Sequence, residues 1–586
     1  MSEATADRAI RAGLGALAGL GLWAVGERWD DTLTPAILFL TMLALVFSST
    51  FLLLFERGHF RPAVLGALGI ALPVALLTAW ASLRYNTPIG LVRSGYPLVA
   101  AFLMAALPVP FLIAARRPDG DWRHYPTLFT VSWALVLKSL ASMIFVGIVL
   151  AVLALGGELL RLVDIRLLEQ LMREDIAVLL INGAAFGIGL AMLEELVDLQ
   201  VPRLVLRLLR LLLPVTAVLV VLFLLGLPFR GLSALFGGRS TAAVLMAIAI
   251  GAIGLISVAA AEDDGEAVKG RTLGLSARAL AALLPVVAVL AGWAIWLRVA
   301  EYGWTPDRIA AATGAVIVAG YGVFYGWMAL RGGDWLAGIR QANVGMALAL
   351  VAIAALWLSP LLDTGGISVK SQVARFDPGK DKLEDLPVYE LLNEWGPGGP
   401  VALDGLIAAL PEAEAKRLGD AVATAGQDRY DLRRILTREA RGQEFAELSA
   451  KAIIRPEGAS LPAWLSAEQS QWTLGEWGRA CAREVRPGLA GCAFVLADFL
   501  PSLPGDEVMV FLNAEGPSVG SSELKYSVEG WDPSRGGFRV SYEPTSSRPD
   551  LPVETVFEVI TDGTFRTGPV TAQSLFIGES EFAPLP

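Results

Sequence analysis

Few residues in this 586-residue chain have types and spacings that could do chemistry. It has two histidines, His59 and His124, and two cysteines, Cys481 and Cys492. These four do not assemble into a zinc set at the usual ligand spacing, so no metal and no cofactor is expected. Both histidines fall in loops read as lying on the inner side, so a His-based triad outside the membrane is excluded, and no glycine loop followed by Lys-Ser/Thr that would cradle a phosphate appears. No catalytic residue is assigned. Glu27, Asp30 and Asp31 follow the first apolar segment, and such carboxylates can act as a general base or a metal ligand. Their loop is only about seven residues long, and an acidic loop that helps set topology is the plainer reading. Asp498, Gly505, Asp506 and Glu507 cluster around a turn, but their spacing is not that of a calcium loop, so a hairpin turn is expected there.

Two constellations remain. Arg298, Glu301, Tyr302, Trp304 and Arg308 fall within eleven residues between two apolar runs. Arg298 and Glu301 are three apart on a helix and can pair. Tyr302 and Trp304 are ring types that sit at the headgroup level. Thr305, Pro306 and Asp307 read as cap, first turn and favourable charge for the next helix. A tight structural turn accounts for the motif, and a ligand-binding role for these five residues is the sharper alternative. The other pair is Cys481 and Cys492, eleven apart with Pro487-Gly488 between them to turn the chain. A disulfide is expected, with Cys481 ending a helix and Cys492 opening the first strand. Two unlinked core thiols are the alternative.

The elements that position these groups follow from composition. The chain is 54% apolar and only 18% charged, with a mean hydropathy of +0.56. Soluble domains average roughly 45–50% and about 25%. The excess lies before Pro360, where 26 Lys+Arg face 23 Asp+Glu; beyond it 21 face 34. A net charge of −10 without a basic cluster argues against nucleic-acid binding. About 20 apolar residues cross a bilayer, and eleven candidate spans can be counted: 12–26, 34–55, 62–82, 96–115, 128–157, 176–197, 211–229, 241–261, 276–297, 309–330 and 343–359. The stretch Val201 to Leu212 places Arg203, Arg207 and Arg210 on one face. It reads either as a helix at the membrane surface or as the basic end of the next span. With the N-terminus in the cytoplasm, fifteen Lys and Arg fall on the inner side and ten on the outer. That places everything after the last span outside the cytoplasm. Lys138 is the only charge well inside a run, and Asn182 the one strong amide in mid-span. Gly15/Gly19, Gly183/Gly187 and Gly322/Gly326 have the small-xxx-small spacing that lets helices approach.

Beyond Leu361 the chain reads as a soluble domain. Residues 363–381 are polar with glycines and are taken as a linker. Helical periodicity runs from Leu383 to Ile454. Short strands are then expected at 493–497, 508–512, 524–528, 538–542, 556–560 and 574–577. The fold class is therefore an all-α transmembrane bundle over residues 1–360 followed by a soluble α+β domain. Its helical part covers 361–455 and its mainly antiparallel β part 456–586. Trp464, Trp472, Trp477 and Trp531 could line a binding face, but core packing is their ordinary role.

Two stretches carry a resemblance: Arg298-Val-Ala-Glu-Tyr-Gly-Trp-Thr-Pro-Asp-Arg308, and Ser359-Pro-Leu-Leu-Asp363 continuing through Ser368-Val-Lys-Ser-Gln-Val-Ala-Arg375 to Gly379. They resemble the bacterial polytopic membrane family labelled domain of unknown function 4153. The resemblance implies an inner-membrane location and brings no activity, substrate or catalytic residue.

The expectation is a multi-pass protein of the bacterial inner membrane, leaning away from an enzyme. Its partners are the lipid bilayer and an envelope protein or polymer bound by a periplasmic domain. A transporter or lipid-handling protein is the alternative, followed by a membrane glycosyltransferase working through Asp30 and Asp31.

Overall fold

The computed structural model describes residues 3–26, 33–55, 59–116, 120–163, 165–197, 201–230, 241–467, 469, 471–500, 503, 505–515, 522–532, 538–542, 551–567, 575–577 and 580–582. The chain packs as two compact units, residues 1–410 and 411–586.

The first unit is helical. Its elements are α1 (Glu3–Gly26), α2 (Pro35–Leu54), α3 (Phe60–Ser82), α4 (Pro88–Ser94), α5 (Tyr96–Ala106), α6 (Pro108–Ala115), α7 (Tyr125–Arg161), α8 (Leu167–Arg173) and α9 (Asp175–Val197). There follow α10 (Val201–Arg210), α11 (Leu212–Arg230), α12 (Thr241–Ala260), α13 (Arg271–Tyr302), α14 (Pro306–Arg331), α15 (Trp335–Leu358), α16 (Thr364–Arg375), α17 (Val388–Asn393) and α18 (Gly398–Ala409). Ten helical stretches among the described residues are long and apolar enough to cross a membrane, and they coincide with the second to eleventh expected spans. The protein is a multi-pass membrane protein by this measure. The first expected span lies within α1, which is not one of the ten. Large apolar side chains such as Leu65, Phe102, Leu155 and Val316 are more than three-fifths exposed on the helix surfaces, as lipid-facing residues are and as a soluble surface is not.

Inside, packing relies on small residues. Ala63, Ala67, Ala71 and Ala75 on α3 are fully buried against Leu38, Val46 and Leu54 of α2. Ala249, Ala281 and Ala291 do the same in a second cluster with Leu280, Leu284 and Ile339. The glycine spacings act where expected. A Cβ on Gly15 would stand 2.0 Å from the carbonyl oxygen of Gly183, and one on Gly19 2.1 Å from that of Leu179. One on Gly187 would stand 2.2 Å from the carbonyl oxygen of Arg11. The pairing is antiparallel, so α1 lies along α9 with backbones in van der Waals contact. Gly322 and Gly326 likewise seat Pro285 of α13.

Two parts of the first unit depart from expectation. Residues 363–381, expected as a linker, contain α16: the Asp363 carboxylate caps it by accepting from the Gly366 N–H at 3.0 Å. Glycine there signals not flexibility but close approach, since a Cβ on Gly365 would meet the Trp395 carbonyl oxygen at 2.5 Å. The change in composition falls at Pro360, whereas packing divides after Leu410. The short helices between them are held by polar contacts to the apolar bundle's end, which composition does not register.

The second unit contains α19 (Glu412–Ala425), α20 (Arg429–Leu436), α21 (Arg438–Lys451), β1 (Ile453–Arg455), α22 (Ala463–Ala467), α23 (Gln471–Ala482), β2 (Glu484–Arg486), β3 (Leu489–Ala490), β4 (Cys492–Ala497), β5 (Glu507–Glu515), β6 (Ser522–Asp532), β7 (Phe538–Tyr542), α24 (Val553–Asp562), β8 (Leu575–Ile577) and β9 (Ser580–Phe582). The main sheet has the order β1-β4-β5-β6-β7, with β1 parallel to β4 and the other pairs antiparallel. Alternation puts Cys492, Phe494, Val508, Val510 and Leu512 against α21 and α23 on one face. Ala493 and Val495 meet Phe557 and Ile560 of α24 on the other. The strand expected at 556–560 is this helix. Val553, Val556, Phe557 and Ile560 recur at helical spacing, and Pro552 precedes the first turn. The sheet also begins at Ile453 rather than at Cys492, because a three-residue strand is too short to show a period.

Candidate functional site

The Arg298–Arg308 turn joins α13 to α14. Gly303 ends α13 at φ +72°, a conformation that favours glycine, and its N–H donates to the Val299 carbonyl at 2.8 Å. Thr305 caps α14 by accepting from the Arg308 N–H at 3.4 Å, with Pro306 in the first turn. The carbonyls left over at the end of α13 need donors. They come largely from α16, about seventy residues on. Gln372 Nε2 donates to the Tyr302 and Trp304 carbonyls at 2.8 and 3.0 Å. Arg375 donates to the Glu301 carbonyl at 2.6 Å, and Ser371 Oγ accepts from the Trp304 N–H at 2.9 Å. Arg308 reaches back to the Tyr302 and Gly303 carbonyls at 2.9 and 2.8 Å. Two guanidiniums therefore sit at the negative end of a 32-residue helix.

Of the five candidates, Arg298, Tyr302 and Arg308 converge. The two guanidinium carbons lie 5.8 and 5.4 Å from the Tyr302 ring centroid, within cation–π range. Trp304 packs inward against apolar residues of two neighbouring clusters. Glu301 supplies its carbonyl to Arg375. The Tyr96 hydroxyl donates to the Asp307 carboxylate, tying α5 to the same joint.

A second tie lies between α3 and α4. Arg84 donates to the Trp357 carbonyl at 2.9 Å and to the Leu362 carbonyl, fastening the chain where it leaves α15. Burial lowers its pKa, opposed by the nearby Tyr85 and Asp363. Burial pushes the Tyr85 phenol up, offset in part by a contact with the Ser94 hydroxyl at 3.3 Å. Asn86 donates to the Leu392 carbonyl at 2.6 Å.

The opposite end of α13 adjoins a polar cluster that the sequence reading missed. Ser257 of α12, Tyr325 of α14 and Asn343 of α15 meet, with Tyr125 of α7 accepting from Asn343 Nδ2 at 3.0 Å. The Ser257 and Tyr325 hydroxyls are 2.9 Å apart. Beside them Arg340, nearly buried, donates to the Ala260 carbonyl at 2.9 Å and pairs with Asp264 at 2.5 Å. Arg210 donates to the Val258 carbonyl at 3.1 Å. Here too, arginines satisfy the carbonyls at a helix C-terminus. Asn343 was overlooked because it stands at the start of the expected span, where an amide is unremarkable until the helix is seen to begin a full two turns earlier. Asn182, the amide singled out instead, keeps its Oδ1 buried without a partner among the described residues.

Among the described residues no group of three His, Cys, Asp or Glu could hold a metal ion. Glu27, Asp30 and Asp31 lie outside them. In the second unit Glu507 is buried and its carboxylate accepts from the Phe499 and Leu500 N–H groups, both at 2.8 Å. This closes the hairpin expected between two strands. Trp477 is core, Trp464 and Trp531 stack at 6.2 Å, and Trp472 is 70% exposed. Cys481 and Cys492 are disulfide-bonded, their Cα atoms 4.6 Å apart, linking the end of α23 to the start of β4.

No curated protein and no solved structure matches the chain. A family model described as a domain of unknown function, DUF4153, matches residues 29–393, from just before α2 to the end of α17. That span holds both halves of the joint at Gly303, and with well over half of the sequence covered, the chain belongs to the DUF4153 family.

Proposed function

We propose that this is a multi-pass protein of the bacterial inner membrane that presents its second unit on the periplasmic side, where it binds an envelope protein or polymer. The observation that supports this reading is the buried disulfide between Cys481 and Cys492. Such bonds persist in oxidising compartments and are rare in the cytosol. The bias of basic residues toward the loops of the N-terminal side points the same way. The base of the exported segment is firmly held: α16 is fixed through Gln372 and Arg375, and the start of that segment through Arg84. A fixed base suits a scaffold or receptor. Two measurements test it. A thiol reagent applied to intact cells without reductant should leave Cys481 and Cys492 unlabelled, and reductant should expose both. A chain truncated after Leu410 should fail to restore any phenotype of full gene loss. Full rescue by residues 1–410 sinks the reading.

A second reading, a transporter or lipid-handling protein, draws support from the polar cluster of Tyr125, Ser257, Tyr325 and Asn343 among otherwise apolar helices. Polar groups in such places mark pathways or sites by default. Asn343→Leu leaving solute flux and lipid composition unchanged in cells counts against it.

A further inference from the structure

A cavity of about 450 Å³ opens between the end of α10, the loop 261–270 and the start of α13. Its size is within the range of about 300–1,000 Å³ usual for small-molecule sites. Arg207, Arg210 and Lys269 line it together with Glu266, Leu211 and Leu273. Three cations against one carboxylate leave the cavity positive. Among the described residues none of the three cations makes an ion pair. Arg210 is oriented by its Nε donating to the Val258 carbonyl, which leaves its two terminal amino groups without a protein partner among those residues.

The surroundings say where a ligand's apolar part goes. Helix α10 is amphipathic: Leu206 and Leu209 pack on Phe129, Val258, Tyr125 and Trp133, while Leu204 and Leu208 are 60% and 57% exposed. Leu211, which lines the cavity, is itself 59% exposed, and Leu275 beyond it 66%. The apolar wall of the cavity therefore runs out onto the lipid-facing surface. A free phosphate would use the cations and leave that wall in contact with nothing. A helix with basic residues on one side and leucines on the other lies in the headgroup region, and basic pockets between membrane helices hold anionic headgroups.

We propose that this cavity binds the phosphodiester headgroup of one anionic phospholipid. Arg207, Arg210 and Lys269 hold the phosphate, Glu266 accepts from a headgroup hydroxyl, and the acyl chains lie along Leu211 and Leu275. The inference is independent of what the second unit binds.

The full chain in detergent is titrated with phosphatidylglycerol, phosphatidylcholine and inorganic phosphate, and bound species are counted by native mass spectrometry. One equivalent of phosphatidylglycerol should bind ahead of phosphatidylcholine and resist displacement by phosphate. The double variant Arg207→Gln, Lys269→Gln should weaken it about thirtyfold, since two basic residues near the charged headgroup are lost at about 1 kcal/mol each and about 1.4 kcal/mol is tenfold. Lys380→Gln with Lys451→Gln should leave it unchanged. Equal retention of both lipids, or unchanged binding by the Arg207 and Lys269 variant, overturns the proposal. Phosphate binding without phosphatidylglycerol binding also overturns it, in favour of a soluble phosphate ligand. Should the variant not fold, the unaltered protein decides: a photoreactive phosphatidylglycerol should label peptides within 204–211 and 265–275, and labelling confined to other helices refutes the site.

Discussion

The side-chain amide of Gln372 bridges the carbonyls of Tyr302 and Trp304, at 2.8 and 3.0 Å, directly over Gly303. A Cβ on Gly303 would stand 2.7 Å from that same amide nitrogen and 2.7 Å from Arg375 Cδ. The two stretches that carry the resemblance to the family are thus two sides of one joint. Gln372→Leu should lower the thermal midpoint of the purified protein, with a loss of about 1–2 kcal/mol for two hydrogen bonds. Gly303→Ala should cost more, because it adds a disfavoured backbone conformation worth roughly 1–3 kcal/mol to the clash. An unchanged midpoint in Gly303→Ala would show that the joint is not under this constraint.

Gly15 and Gly21 lie on the same helix, yet only Gly15 faces a backbone; nothing lies within 4 Å of a Cβ at Gly21. Gly15→Leu should therefore separate α1 from α9 and lower the midpoint, while Gly21→Leu should be nearly neutral. Thermal scans of the two variants, prepared alike, compare them. Equal effects would count against the glycine contact.

The Cys481–Cys492 bond closes a loop of about eleven residues and links α23 to β4. The chain-entropy treatment assigns such a loop roughly 2–3 kcal/mol. Cys481→Ser with Cys492→Ser should make the second unit more sensitive to urea and to protease in the full-length protein. Intact mass under non-reducing conditions should show both thiols oxidised.

Tyr325→Phe removes the hydroxyl that touches both Ser257 and Asn343. Interhelical hydrogen bonds in membranes average about 0.6 kcal/mol and reach about 1.7. A modest loss in that range is expected, read as a midpoint shift. Asn343→Leu should do more, since it removes three contacts at once, to the Tyr125, Ser257 and Tyr325 hydroxyls, and leaves only the Ser257–Tyr325 contact.

Tyr85 lies outside the spans, and burial raises its pKa. The folded state therefore holds the phenolic proton more tightly than the unfolded chain. Its contribution is complete below the unfolded value of about 10 and is lost as pH rises through the raised one. Tyr85→Phe should flatten part of the alkaline fall in stability. A pH–stability curve identical to that of the parent would refute the assignment.

The class of the molecule is legible in composition and spacing: ten apolar stretches read as spans are helices of sufficient length among the described residues, the glycine pairs lie at helix contacts, and Cys481 and Cys492 lie at a helix end and a strand start. These features are local or periodic, so composition and spacing carry them. Tertiary structure alone decided which groups meet. In sequence, helix α16 reads as a linker because its cap and its glycines look like loop chemistry until Trp395 is seen against Gly365. Residues 556–560 read as a strand in sequence because a run of apolar residues fits either period until both faces of the sheet are known. The joint at Gly303, the cluster at Asn343 and the basic cavity each combine residues from distant elements. Their donors and acceptors satisfy one another only after the helices pack, and spacing along the chain holds no trace of that pairing.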